Sequence, residues 1–277
     1  MDYSNQSPIK VNRLNADSSW IFNLDGIRLL VDPWLEGKSI VGHSLFYSAT
    51  HSEPVLPVNQ LPHYDALLIT HPFGDHCHLP TLQQLAKDKT VIAPALAART
   101  LRKIGFTDVH VLTNSLRQNA PFYFKGLEIY YYRADKKMDA THNSFLISSP
   151  ASNSKLLLCP HCTWFDDRSK YAAIFAGPID LLVTCFSYYG LPMIFGGKAN
   201  MGMADALKLV RQISPAAILS THDEQKIEGG LVALFAKFIP PENLLDALST
   251  AQIKTQFLSP PVGVETDIPI HQHKTMV

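Results

Sequence analysis

The apolar run Ala66-Leu67-Leu68-Ile69 leads straight into Thr70-His71-Pro72-Phe73-Gly74-Asp75-His76-Cys77-His78. Four metal-capable side chains and a thiol fall within eight residues. A short buried strand ending in a turn that carries His and Asp is how many hydrolases deliver ligands to a metal. This junction constrains the fold more than any other feature, because it demands a sheet whose edge gathers side chains from other strands.

The rest of the chain supplies such strands. Trp20-Ile21-Phe22-Asn23-Leu24 and Ile27-Arg28-Leu29-Leu30-Val31 flank Asp25-Gly26, a hairpin signal, and the second strand stops at Asp32-Pro33-Trp34. Residues 36–64, rich in Ser, Pro and His, read as a long loop, a kind of segment that is often functional. Leu79 to Lys87 has helical spacing, with Pro80 suited to a first turn. A strand at 90–93 precedes a helix at 95–104 that Gly105 closes. Strands follow at 109–112, 127–132, 144–147, 155–158, 181–184 and 217–220, with a one-stripe helix over 203–213 between the last two. This mixture favours an α/β (α+β) fold of sheets covered by helices. The domain is placed at 1–258, with Ser259–Val277 as a Pro-containing tail at the surface or partly disordered.

Composition excludes several classes. Lys+Arg and Asp+Glu number 24 each, so no global field points to nucleic acid. No run approaches the ~18 apolar residues of a membrane span. Met1 to Gln6 lacks a basic start before an apolar core, and four cysteines do not make a disulfide scaffold, so a reducing cytoplasm is the expected compartment. The expected partner is a small-molecule substrate. Oligomeric state is left open.

Candidate ligands recur at strand ends: His71, Asp75, His76 and His78 after 66–69, His161 after 155–158, and His222 after 217–220. A metal site needs three or four N/O ligands converging from different elements. On these segments the chain resembles the metallo-β-lactamase-fold superfamily, in the branch similar to ascorbate-6-phosphate lactonase and N-acyl-phosphatidylethanolamine phospholipase D. Leu14 to Leu35 resembles that branch's opening hairpin, and His71–His76 its H-x-H-x-D-H motif. Thr141 to Ile147 resembles the strand before the bridging-carboxylate turn. Met201 to Ala206, then Leu219-Ser220-Thr221-His222, resemble the closing helix, strand and histidine. The resemblance implies a four-layer αββα sandwich with metals at one edge.

The chain departs from the family pattern in three places. Phe73 stands where the motif has its second His, His161 where it has a bridging Asp, and near 133–137 only Asp135 could replace the middle His. The resemblance then implies one divalent metal, zinc before manganese or iron, on Asp75, His76, His161 and His222, or no metal at all. His71 and Asp75 are the candidate catalytic residues. The implied activity is hydrolysis of an ester, lactone or phosphodiester. The alternative is a catalytically degenerate member serving as a ligand- or protein-binding module.

Other residues keep two readings. Asp32 orients a ligand imidazole, or caps a turn before Pro33. His78 starts a helix or joins the loop, and His142 lines the pocket or ends a strand. Phe73 is expected to pack beside His71 in the space of the missing metal. Cys159-Pro160-His161-Cys162 reads either as a dithiol motif or as small buried hydrophobes, and Cys159, Cys162 or Cys77 could supply a thiolate. The aromatic, Gly-rich stretch 188–197 could floor a pocket with Trp34, Phe46 and Tyr47 opposite, or simply pack as a loop.

Overall fold

The computed structural model describes residues 8–113, 120–133, 143–162, 165, 171–195, 197–241 and 243–269. Two seven-stranded mixed sheets form its centre. The first runs, edge to edge, Glu265–Asp267, Ile9–Arg13, Trp20–Leu24, Ile27–Val31, Ala66–Leu68, Thr90–Pro94 and Val109–Leu112. The second runs Gln256–Leu258, Ala217–Thr221, Leu181–Cys185, Ser154–Cys159, Asn143–Ser149, Leu127–Arg133 and Phe122–Phe124.

The central strands are apolar on both sides because both of their faces are covered. Ala66 and Leu68 enter the core between the sheets, while Leu67 and Ile69 pack outward with Leu82, Ala97 and Leu101. Leu156 and Leu158 likewise face the first sheet, and Leu157 and Cys159 face Ala206, Leu209 and Val210. Period-2 partition of continuous apolar runs thus produces four layers, helix–sheet–sheet–helix. The helix Ala95–Lys103 ends with Arg102 and Lys103 against its carbonyl terminus, and Gly105 follows at φ +100, in a region that favours glycine. The helix Met203–Ile213 has the bounds its apolar stripe implies.

The structure departs from the sequence reading in several features, among them the strand Ile9–Arg13 and the helix Leu244–Thr250, which no pattern marked. The helix after the His/Asp turn covers only Leu79–Gln84; Leu85 is extended, and the Leu82 carbonyl accepts both from Leu85 N and from the Lys87 ammonium. The segment read as a tail carries Glu265–Asp267, which pairs with Ile9–Arg13, and Ile268 is buried in the inter-sheet core. The long early loop holds Ser39–Val41 and Tyr47–Thr50, which join Ile227–Gly229 in a small sheet. A second small sheet joins Lys198–Met201, Tyr188–Gly190 and Lys237–Ile239. Among the described residues no helix is long and apolar enough to cross a membrane.

Candidate metal centre

Ile27–Val31 and Ala66–Leu68 are parallel, as are Ser154–Cys159, Leu181–Cys185 and Ala217–Thr221. Strands that run the same way end at the same edge. Asp32, the 70–76 turn, His161 and His222 follow those carboxyl ends, and they meet at one rim of the sandwich. Asp32 and His222 both take left-handed backbone conformations, φ +43 and +57, which cost energy for a residue with a side chain.

Buried partners fix the ring orientations. Thr70 N donates to Asp32 Oδ1 at 2.7 Å, and the Thr70 hydroxyl donates to Asp32 Oδ2. With its hydrogen so committed, Thr70 Oγ1 accepts from His71 Nδ1, 2.7 Å away. His76 Nδ1 donates to Asp32 Oδ2 at 2.7 Å. His161 Nδ1 lies 2.7 Å from Asn200 Oδ1, while Asn200 Nδ2 donates to Ser187 Oγ at 3.2 Å. Each ring spends its Nδ1 hydrogen on an acceptor, so each turns an Nε2 lone pair inward.

The inward atoms lie close together. His76 Nε2 is 3.1 Å from His161 Nε2, 3.4 Å from His222 Nε2 and 3.8 Å from Asp75 Oδ2. Two facing lone pairs at 3.1 Å repel unless a proton or a cation lies between them. Two metal–nitrogen bonds of ~2.0–2.1 Å at a tetrahedral angle put their donors about 3.3–3.4 Å apart, so the set fits a zinc-sized ion. His71, His76 and His161 form one group with ligand atoms within 4.8 Å, and Asp75, His76 and His222 form another. Both depend on His76, whose Nδ1 is already bound to Asp32, and one Nε2 lone pair serves one ion. His71 lies in the same cluster: its ring centroid is 4.5 Å from that of His76 and 4.8 Å from that of His161.

Charge follows the same geometry. Burial pulls the His76 imidazolium down, but the Asp75 and Asp32 carboxylates outweigh it and leave the group raised to about 9. Burial pushes Asp75 up, yet His76, Lys226 and His161 bring it below its ordinary value. Burial and the neighbouring rings hold His222 well below normal, so it stays neutral. A metal arriving here meets a carboxylate and free lone pairs, and displaces one proton from His76.

A cleft of about 500 Å³ opens onto this rim, lined in part by Asp75, His161, His222 and Phe73. Phe46, Tyr47 and Tyr189 line it too, as the pocket reading of those stretches expects. Trp34 does not: it is fully buried, its ring 3.9 Å from that of His51. Phe73 is 38% exposed on the cleft wall, so its ring does not fill a buried space beside His71. His78 caps the helix: its Nδ1 accepts from Thr81, and its Nε2 donates to Lys38 O at 3.1 Å.

The four cysteines are buried and unlinked. Burial pushes the Cys77 and Cys162 thiols up to about 12, and Cys159 Sγ donates to Ser144 Oγ at 3.4 Å. They pack as small hydrophobes, which removes the support for dithiol or thiolate chemistry. Asp135 and His142 lie outside the described residues. Sequence reasoning missed Asn200, Thr70 as a hub, and the Lys226–Asp17 ion pair at 2.8 Å beside the cleft. Asn200 stands 39 residues from the ring it orients, and no local pattern marks it.

These two sheets, their outer helices and the shared rim of imidazoles define an αββα sandwich of the metallo-β-lactamase type. The family model described as "Beta-lactamase superfamily domain" matches residues 27–222, and the chain belongs to that superfamily. Among solved structures it is similar to an isothiocyanate hydrolase from Delia radicum gut bacteria, at 20% identity and a TM-score of 0.69, over 94% of this chain and 99% of that one. A possible metal-dependent hydrolase from Veillonella parvula is 16% identical with a TM-score of 0.67, over 95% and 100%. A metallo hydrolase from the archaeon Ignicoccus hospitalis is 13% identical with a TM-score of 0.59, over 93% and 97%. At such identities the likeness establishes the fold. A comparison with curated proteins finds no match.

Proposed function

We propose that this chain is a metal-dependent hydrolase with a single-ion site, acting on a small ester, lactone or phosphodiester. The observation that carries this reading is the single free nitrogen of His76, facing His161, His222 and Asp75 at 3.1 to 3.8 Å. In this reading Asp75, His76, His161 and His222 hold one divalent ion, zinc before manganese or iron, since the donors are imidazole and carboxylate. A bound ion of this kind polarises a carbonyl or phosphoryl oxygen and activates water near neutral pH.

The protein's own residues do the remainder. Asp32, Thr70 and Asn200 hold the rings in register. His71 moves a proton at the leaving group, and Asp75 combines ligation with acceptance of a hydrogen bond from the attacking water. Phe46, Phe73 and Tyr47 wall the cleft against bulk water. The resemblance to the lactonase and phospholipase D branch supports the ester and phosphodiester classes, and four free cysteines support a cytoplasmic setting.

The test is metal content as purified, followed by an ester, lactone, phosphodiester and isothiocyanate panel, the last because one structural neighbour hydrolyses that group. The expected result is close to one ion per chain and slow turnover in one class. His76→Ala loses ion and activity together, with activity down at least ~100-fold. A protein that holds no metal under any reconstitution condition overturns the proposal. It would favour the degenerate binding module, which the motif's loss of a histidine at Phe73 supports.

A further inference from the structure

The cleft has a second polar feature, remote in kind from the imidazoles. The antiparallel registers Val41↔Tyr47, Ser39↔Ala49 and Glu228↔Ala49 put these five side chains on one face of a small sheet, and all five line the cleft. In the other small sheet Tyr189 stands opposite Asn200 and Phe238. Asn200 reaches His161, so that face also looks inward. The two faces meet at three groups. Tyr47 Oη is 2.5 Å from Glu228 Oε1, and Tyr189 Oη is 2.7 Å from Glu228 Oε1 and 3.0 Å from Tyr47 Oη.

We propose that Glu228, with Tyr47 and Tyr189, forms a subsite for an ammonium group on the ligand of this cleft. The inference rests on the cleft being the substrate site, and it names the substrate's class: a primary amine at one end, the hydrolysable bond at the other.

The hydrogens and charges of the trio set what it can receive. The trio owns two phenolic hydrogens, and both are spent within it. Burial foremost, and also the Glu228 carboxylate, hold both phenols far above their ordinary pKa, so both hydrogens stay in place. What remains towards the cleft is acceptor capacity alone: Glu228 Oε2 and phenolic lone pairs. Such a surface receives a donor and repels a carboxylate or phosphate.

Three other charges at the cleft have partners of opposite sign. Asp75 faces His76, Glu224 pairs with His51, and Lys226 pairs with Asp17. Lys198 and Lys237 also line the cleft, but neither forms an ion pair with Glu228, and the Lys198 ammonium lies over the Tyr188 ring at 5.8 Å. Among the described residues no Lys, Arg or His nitrogen lies within ion-pair distance of Glu228. A clasp between the two sheets needs an acceptor but no charge. A charge left without a counter-ion in an aromatic-walled cleft is costly, and a ligand cation removes that cost. The Tyr47, Tyr189, Phe46 and Phe238 rings around the cleft add cation–π attraction.

The probe is benzylamine, cationic at neutral pH, against benzyl alcohol and benzoate of similar shape, titrated calorimetrically into the metal-loaded protein at low salt. Benzylammonium should bind about tenfold tighter than the alcohol, with benzoate weakest and the preference shrinking as salt rises. Glu228→Gln, which keeps an acceptor for the tyrosines, should bring amine and alcohol within about twofold. Tyr189→Phe keeps the charge and should keep the preference, and it serves if the first variant does not fold. Unchanged benzylammonium affinity in Glu228→Gln, loss of the preference in Tyr189→Phe, or tightest binding of benzoate overturns the subsite. Metal content of the same samples separates the two proposals. Cation preference without metal defeats only the hydrolase reading, and metal without cation preference defeats only this one.

Discussion

Asp32 governs two imidazoles through three hydrogen bonds, directly to His76 and through the Thr70 hydroxyl to His71. An amide in its place retains one acceptor oxygen and tolerates the left-handed backbone, but it cannot serve Thr70 N, Thr70 Oγ1 and His76 together. Asp32→Asn is therefore expected to fold and to bind metal about 10–100-fold more weakly, read by competition with a chelator. Wild-type affinity in that variant would show that the carboxylate is a turn residue with no grip on the rings. Residues of this kind divide by how far their partners lie along the chain. Asp32 was legible as a choice between two roles, because Asp-Pro ends a strand. Asn200 was not legible, because its meaning arises only when a small sheet brings it to His161. Trp34 and Phe73 misled for a related reason: side-chain type does not tell which face of a loop is buried.

At the level of elements, legibility followed apolar runs more than length: Ala66–Leu68 and Val109–Leu112 show at three and four residues, while the five-residue strand Ile9–Arg13, broken by Lys10 and Asn12, does not. The longer apolar strands of the two central sheets and the helices over 95–103 and 203–213 carry enough positions for a pattern to show. The small sheets that wall the cleft are built from three- and four-residue strands, too short for any period, and their pairing is long-range. The helix Leu79–Gln84 is short as well, but its cap makes a test possible. Burial first, and the neighbouring His51, lower His78 to about 4. Between its ordinary value of about 6.5 and 4 the unfolded chain binds the extra proton, so stability rises with pH through that window. The contribution is complete above pH ~6.5 and is lost as pH falls towards ~4, by about 2–3 kcal/mol. Asn caps helices as well as any residue and does not titrate there. Metal-free wild type and His78→Asn should therefore have similar denaturant midpoints at pH 7.5, with the wild type falling further at pH 4.5. Parallel pH dependences would mean that the imidazole is not held neutral by the fold.

Over the whole molecule, the four layers were legible because continuous apolar runs alternating with helical stripes leave few ways to bury both faces of a sheet. The closing strand Glu265–Asp267 was not, since its sequence is polar and it completes only an edge. The architecture also makes a demand on the metal. Asp75 and His76 belong to the first sheet, His161 and His222 to the second, so one ion would tie the two halves of the sandwich at a single rim. Without it, His76 and His161 are left with facing donors and a trapped proton, and the rim is where separation of the sheets should begin. Ligation by the folded state alone stabilises by about 2.7 kcal/mol at a metal concentration 100-fold above Kd. In a chain of 277 residues each kcal/mol moves the melting temperature by roughly 2–4 °C, so chelation should lower it by about 5–10 °C, and zinc should restore it. Deuterium exchange should rise on metal removal at 70–77, 160–162 and 220–224 before it rises in the helices of either outer layer. A melting temperature within about 1 °C of the loaded protein after verified metal loss would mean that the ion does not bridge the sheets, and would favour a site confined to the 71–76 turn.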